Sequence, residues 1–200
     1  MQKEIIRKKY NEFAFKYRYG EELIYFIFGL NRLRKALLRN ATGKVLEIAV
    51  GTGAGLPLYP KNCEITAIDL SPKMLQYAKK RTKRNITFKE MDAENLSFKE
   101  NTFDSVVDTL SLCTFPNPIK ALKEMARVCK PKGSLLLLEH GRSDKDWLAR
   151  FQDRRAEKHA QPLGCNWNRE PLELVKKGGL KILYYKRTFF GMFHIIKATK

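Results

Sequence analysis

The sequence feature that most constrains the fold is an apolar run that ends in closely spaced glycines. Val45–Val50 is followed by Gly51-Thr52-Gly53-Ala54-Gly55. The apolar run predicts a buried strand, and the glycines allow the backbone to turn tightly and to approach a ligand closely. We therefore expect a strand, a ligand-binding turn and then a helix.

From Gly43 onward, short apolar runs alternate with helical patterns, which predicts a parallel sheet in an α/β fold. Ser71-Pro72 and Asn117-Pro118 carry the start signals of two helices. Two later β-rich runs hinged at Gly191 predict a closing antiparallel hairpin. The first five strands are predicted at Val45–Val50, Ile65–Leu70, Ile86–Met91, Phe103–Leu112 and Ser134–His140.

The first 40 residues predict two helices that cap this core. Ile6, Tyr10, Phe13 and Tyr17 recur at helical spacing, and Gly20 is expected to end the first helix. The second helix is predicted from Leu23 with an apolar first half, which is typical of a helix that is buried or that lies in a membrane interface.

A single domain is expected, because 200 residues with 44% hydrophobic content suffice for one core. Residues 1–40 are interpreted as the helical cap, 41–140 as the core, 141–172 as a lid, and 173–200 as a closing helix and hairpin. Leu23–Leu30 is shorter than the roughly 20 residues of a membrane span. Without a secretory signal pattern, a cytoplasmic location is expected.

The charge and the cysteines limit the partners. Lys and Arg number 39 against 21 Asp and Glu, and a net charge of +18 favours polyanions such as nucleic acid or an anionic membrane, although a lysine-rich thermophilic surface is an alternative. Cys63, Cys113, Cys129 and Cys165 are scattered without a CxxC pair. Reduced buried thiols and no metal site are therefore expected.

Acidic residues near the glycines and at strand ends indicate the ligand. Glu47 precedes a GxGxG rather than a GxGxxG spacing, and it would repel a pyrophosphate but accommodate a cationic sulfonium or amino group. Asp69 ends the second strand and can accept both ribose hydroxyls. Asp92 ends the third strand and can accept the adenine amine, while each aspartate could alternatively be a strand-end cap.

These residues and the turn Val128–Gly133 resemble the class I S-adenosylmethionine (SAM)-dependent methyltransferases, including the type 11 and quinone methyltransferases. The resemblance covers roughly residues 40–140, with Lys132 standing where many members have glycine. It implies a doubly wound, Rossmann-like sheet of seven strands, mostly parallel with an antiparallel last strand. It also implies SAM as the cofactor and S-adenosylhomocysteine as the product. The expected cofactor-binding residues are Glu47, Gly51, Gly53, Gly55, Asp69, Leu70, Met74, Asp92, Ala93 and Thr109.

Methyl transfer from SAM is an in-line displacement in which positioning and desolvation supply most of the catalysis. Tyr10, Tyr17 and His140 are the candidate catalytic residues, because a protonated amine acceptor must still lose a proton. The two tyrosines could equally form a packing stripe, and His140 could be structural.

A narrower resemblance concerns Tyr10–Ala14, Glu139–Gly141 and Gly164–Glu170. These pieces are similar to soluble bacterial phosphatidylethanolamine N-methyltransferases and to small-molecule thiol methyltransferases. The resemblance implies an N-terminal helix folded over SAM, and it implies that Asn168 and Arg169 shape the head-group side of the pocket.

The leading hypothesis is N-methylation of phospholipid head groups by a protein peripheral to the inner membrane. Basic aromatic helices are typical of interfacial segments, although ordinary core-covering helices share this composition. A small soluble thiol, a quinone precursor or another metabolite is the alternative acceptor. RNA is disfavoured, because Thr114-Phe115-Pro116-Asn117 replaces an Asn/Asp-Pro-Pro-Tyr motif. The oligomeric state is left open, and a monomer is compatible with the sequence.

Overall fold

The apolar runs form the strands of one mixed sheet. The computed structural model describes residues 2–200, without the side chains of residues 19 and 21–26, and within these residues the sheet has seven strands. They are β1 (Lys44–Ile48), β2 (Glu64–Asp69), β3 (Thr87–Glu90), β4 (Phe103–Thr109), β5 (Cys129–His140), β6 (Lys181–Thr188) and β7 (Phe193–Thr199). Their order is β3-β2-β1-β4-β5-β7-β6, and β7 runs antiparallel to both neighbours. The predicted α/β fold with its closing hairpin is confirmed.

The α-helices of the described chain are α1 (Lys3–Ile27), α2 (Leu30–Leu38), α3 (Pro72–Lys80), α4 (Pro118–Val128), α5 (Asp146–Leu163) and α6 (Pro171–Lys177). The start signals of α3 and α4 work as predicted: the Ser71 side chain accepts a hydrogen bond from the Met74 amide, and the Asn117 side chain accepts one from Lys120. None of the helices in the described part of the chain is both long enough and apolar enough to cross a membrane.

The predicted helix break at Gly20 is wrong. Helix α1 continues through Gly20 to Ile27, and the chain turns at Gly29, whose φ is 61°. Glycine inside an exposed helix weakens it by about 1 kcal/mol without breaking it, whereas a left-handed residue does end a helix. The side chains of Leu23 and Phe26, predicted to be buried or interfacial, lie outside the described residues.

The prediction of a helix directly after the glycine-rich turn is also wrong. A short 3-10 helix, Leu56–Leu58, stands in its place. Pro60 holds the preceding Tyr59 in an extended conformation with a ψ of 147°, which ends the helical turn.

Helices cover both faces of the sheet. Neighbouring residues of β4 divide between two cores: Val106 packs in the cluster that contains Leu122 of α4, and Val107 packs in the cluster that contains Leu75 of α3. The core therefore lies between helices and sheet on either side, and the carboxyl edge of β1, β2 and β4 is left for a site.

Candidate active site

A cleft of about 970 Å³, including its open mouth, lies at the carboxyl edge of β1, β2 and β4 and is covered by α1. Ligands of doubly wound sheets bind at this edge. The predicted site residues that line the cleft are Tyr10, Tyr17, Gly51, Gly55, Asp69, Leu70, Met74, Asp92, Ala93 and Thr109.

The carboxylate of Asp69 is the buried acceptor at the centre of this edge. It accepts hydrogen bonds from the backbone amides of Gly51 and Ser71, both at 2.8 Å. Burial raises the pKa of Asp69 to about 6, and the amide hydrogen bonds act in the opposite direction. Each oxygen keeps a further lone pair, so the arrangement fits the paired hydroxyls of a ribose.

The glycines of the turn permit close approach for different reasons. Gly51 has a φ of 55°, and a Cβ added there would meet the Ala49 carbonyl oxygen at 4.0 Å, at the limit of contact, which leaves room in the cleft. A Cβ on Gly53 would stand 2.9 Å from the Ala78 Cα of α3. Gly53 is absent from the cleft lining among the described residues and instead lets the turn pack on α3.

Glu47 also lies beneath the turn rather than in the described lining of the cleft. Its carboxylate is buried, and a Cβ on Gly55 would come within 2.8 Å of its Oε1. Burial raises the pKa of Glu47 to about 7, while the charge of Arg34 lowers it. Glu47 therefore lies beneath the turn, and its contact with a cationic ligand stays a prediction.

Asp92 has a partner that sequence reasoning missed. Lys3 Nζ lies 2.6 Å from Asp92 Oδ2 and 2.8 Å from Glu94 Oε2, and the Glu94 amide donates to Asp92 Oδ1 at 2.8 Å. Arg7, one turn further along α1, pairs with Glu90. The ion pairs of Lys3 and Arg7 join residues more than 80 positions apart and have no local sequence signature. They fasten the start of α1 across the end of the cleft that contains Asp92.

Tyr10 and Tyr17 both face the cleft from α1, with ring centroids 6.2 Å apart. Burial and then the charges of Cys113 and Cys165 raise the pKa of Tyr10 well above its usual value, while a hydrogen bond with Thr114 lowers it. Tyr10 is therefore a neutral phenol near pH 7, which can orient an acceptor but is a poor proton acceptor.

His140 does not belong to the described lining of the cleft, and its Nε2 lies 3.4 Å from Cys165 Sγ. Asn168 is also turned away, since its amide donates to Asp153 of α5 at 3.1 Å. Arg169 instead holds the loop after β4, donating to the Phe115 carbonyl at 2.8 Å and to the carbonyl of Leu112.

A buried carboxyl pair supports that loop and was also missed. Asp108 of β4 and Glu139 of β5 are buried side by side, and burial raises both pKa values, that of Asp108 to about 7. Glu139 accepts from the amides of Ser111 and Leu112, and the hydroxyl of Ser111 donates to Asp108. Leu110, between these contacts, has a φ of 62°. The sequence did contain a signal for this pair, because Asp108 and Glu139 are acidic residues within the apolar parts of their strands.

Comparisons with known proteins indicate which kind of domain contains this cleft. Residues 46–137 match the family described as methyltransferase domain. These residues are a methyltransferase domain. SAM is the methyl donor that this domain implies. The Asp69 carboxylate fits the ribose hydroxyls of SAM, and the open space at Gly51 allows the cofactor to approach the turn closely.

The methyltransferase domain has curated relatives with several acceptors. The chain is 30% identical over 97% of its length to the mitochondrial methyltransferase OMS1 of Saccharomyces cerevisiae, covering 45% of that protein. It is 39% identical over 59% of its length to a phosphatidylethanolamine N-methyltransferase of Cereibacter sphaeroides, covering 61%. It is 32% identical over 66% of its length to the thiol S-methyltransferase TMT1B of Rattus norvegicus, covering 58%. The chain thus spans about half to three fifths of these relatives.

Solved structures share the fold of the methyltransferase domain. A SAM-dependent methyltransferase from Thermotoga maritima superposes with a TM-score of 0.71 at 24% identity, covering 98% of this chain and 99% of that one. The same fold serves the [4+2]-cyclase SpnF, which aligns with a TM-score of 0.65 at 20% identity over 85% of this chain and 81% of that one. Fold likeness alone therefore leaves the acceptor open.

Proposed function

We propose that this chain transfers the methyl group of SAM to the amine of a phospholipid head group at an anionic membrane surface. The observation that carries the proposal is that α1 both lines the cleft and exposes aromatic side chains. Tyr10 and Tyr17 line the cleft, while Phe13 and Phe15 of the same helix are 39% and 61% exposed. A helix that exposes aromatic side chains beside a cleft can rest in a lipid interface and present the cleft to a head group.

Helix α5 carries a second set of exposed aromatic residues. Lys9 of α1 donates to the Gln161 carbonyl near the end of α5, so the two helices meet beside the cleft. Trp147 and Phe151 of α5 are 67% and 47% exposed. Cationic side chains accompany them along α5 at Arg150, Arg154, Arg155 and Lys158. Exposed aromatics with adjacent cations favour an anionic lipid surface.

The chemistry of the cleft is compatible with an amine acceptor. The rings of Tyr10 and Tyr17 offer faces that attract a protonated head-group amine, and the neutral phenol of Tyr10 can accept a hydrogen bond from it. The amine attacks the methyl group only after it has lost a proton, which passes to water at the open mouth of the cleft, and S-adenosylhomocysteine is the leaving group. The similarity to the Cereibacter phosphatidylethanolamine N-methyltransferase supports the same class of acceptor. The proposal places the protein at the cytoplasmic face of a membrane.

A small soluble thiol is the second candidate acceptor, favoured by the similarity to a thiol S-methyltransferase. A thiolate is already nucleophilic and would mainly need alignment with the methyl group. Its methylation would require no lipid surface.

The test begins with SAM titration by calorimetry, followed by transfer of labelled methyl groups to phosphatidylethanolamine in anionic vesicles, to small thiols and to RNA. We expect label in the lipid. Phe15→Ser should reduce lipid methylation without changing SAM affinity, whereas Leu183→Ser, on exposed β6 away from the cleft, should change neither. Label confined to thiols would reassign the acceptor, and absence of SAM binding would overturn the whole proposal.

A further inference from the structure

Three side chains from distant parts of the chain meet beside the cleft. Cys113 follows β4, His140 ends β5 and Cys165 follows α5, yet their ligand atoms all lie within 4.8 Å of one another. Cys165 Sγ is 3.4 Å from His140 Nε2. Cys113 is buried, and His140 and Cys165 are partly buried. Because these residues are far apart in the sequence, they form no CxxC motif from which the cluster could have been predicted.

The spacing of these atoms suits a tetrahedral metal centre. Zinc bonds of about 2.3 Å to sulfur and about 2.0 Å to imidazole nitrogen separate a sulfur from a nitrogen ligand by roughly 3.5 Å, close to the 3.4 Å between Cys165 and His140. Two thiolates also neutralise a divalent cation. Hard cations prefer oxygen ligands, whereas thiolate with imidazole favours zinc.

We infer that Cys113, His140 and Cys165 form a binding site for a Zn²⁺ ion. Two thiolates and one imidazole are a donor set of zinc enzymes that keep a fourth coordination position open. The three residues of this site do not belong to the described lining of the cleft, which contains Asp69, so the metal site is distinct from the expected cofactor site.

The backbone around the cluster is held in place independently of a metal. Asn166 donates from both its backbone amide, at 2.9 Å, and its side chain, at 3.1 Å, to the Cys113 carbonyl. Arg169 donates to the Phe115 carbonyl, which fixes the same loop. His140 is fixed by its pairing with Phe193 of β7. Such preorganisation lowers the conformational cost of metal binding.

The position of the site relates the lid to the cleft. Cys165 belongs to the predicted lid, whereas Thr114, next to Cys113, lines the cleft and hydrogen-bonds to Tyr10. A metal ion bound to both cysteines would tie the lid segment to the loop that faces the acceptor. Bound metal should therefore protect residues 164–169 from hydrogen exchange.

The inference is tested with full-length protein that is freed of metal and kept reduced. Titration with Co²⁺ should give one equivalent of tetrahedral absorption together with a thiolate-to-cobalt charge-transfer band, and Zn²⁺ should displace the signal. Cys165→Ser and His140→Asn should each weaken metal binding by at least about 100-fold, because second-shell changes alone account for 10–100-fold. Thermal unfolding without metal establishes that both variants fold.

Cys63→Ser is the matched control, since Cys63 precedes β2 at the opposite edge of the sheet and donates to the Ala41 carbonyl, as serine also could. It should bind Co²⁺ like the unaltered protein. Absence of saturable Co²⁺ binding, or equal binding by Cys165→Ser, would overturn the inference. SAM titration of the same samples keeps this result separate from the proposed methyl transfer.

Discussion

The carboxylate of Asp69 joins the turn after β1 to the start of α3, because it accepts hydrogen bonds from Gly51 and Ser71. If it also accepts the ribose hydroxyls, Asp69→Ala removes a buried charged acceptor. We expect SAM affinity to fall by about 2 kcal/mol or more, roughly 30-fold. Calorimetry measures this loss, and Asp69→Asn, which keeps the shape, should lose less. Unchanged affinity in Asp69→Ala would refute the placement of the ribose.

The pKa of Asp69 adds a pH dependence to cofactor binding. Burial raises this pKa to about 6, so the carboxyl is ionised above that pH and protonated below it. Because hydroxyl donors prefer the ionised form, SAM affinity should be constant above about pH 7 and decline as the pH falls through 6. Titrations from pH 5 to 8 should show this step in the unaltered protein and lose it in Asp69→Asn. A step that persists in the variant would assign the titration to another group.

Gly53 and Gly20 make a matched pair for testing backbone requirements. Alanine at Gly53 would need a φ of 81° and would place Cβ 2.9 Å from the Ala78 Cα, so Gly53→Ala should lower the free energy of unfolding by at least about 2 kcal/mol. Gly20 lies within α1, and an added Cβ meets no atom within 4 Å. Gly20→Ala should raise stability by about 0.5–1 kcal/mol. Urea unfolding measures both, and similar effects would contradict the argument.

At the scale of elements, ion pairs fasten the start of α1 beside the cleft, while buried apolar side chains of the same helix also pack against the rest of the protein. The pairs of Lys3 with Asp92 and of Arg7 with Glu90 are partly exposed, and such pairs contribute at most about 1 kcal/mol each. The double variant Lys3→Gln, Arg7→Gln should therefore speed hydrogen exchange in residues 3–17 while leaving the sheet protected. Lys8→Gln, outside the described lining of the cleft, is the control. Unchanged exchange would show that apolar contacts hold α1.

Elements with local signals were predictable, and those set by distant contacts were not. Ser71 and Asn117 marked helix starts because capping involves neighbouring residues. The end of α1 was misplaced because glycine composition does not reveal which glycine adopts a positive φ, and this was Gly29. In the site, the positions of Asp69 and Asp92 at strand ends could be predicted from the apolar runs that precede them. The partner of Asp92 was not, because Lys3 reaches it through tertiary folding.

At the scale of the whole molecule, the net charge of +18 predicts strongly salt-dependent association with anionic surfaces. Binding to vesicles that contain phosphatidylglycerol should weaken steadily as NaCl rises from 50 to 500 mM, as the Debye length falls from above to below about 10 Å. Vesicles of phosphatidylcholine alone provide the control, measured by cosedimentation. Equal binding to both vesicle types would show that the charge does not guide the protein to lipid.

The position of β7 has a consequence for how the protein is made. β7 lies between β5 and β6, although it follows both in the chain. During synthesis, residue 199 must leave the exit tunnel of the ribosome before β7 can pair with β5. The part of the sheet formed by β5, β7 and β6 is therefore completed only after all three strands have been synthesised. Until then β5 presents an unpaired apolar edge, a form open to aggregation and to chaperones. Slow translation would lengthen this vulnerable interval, and fast completion of the last strand would end it.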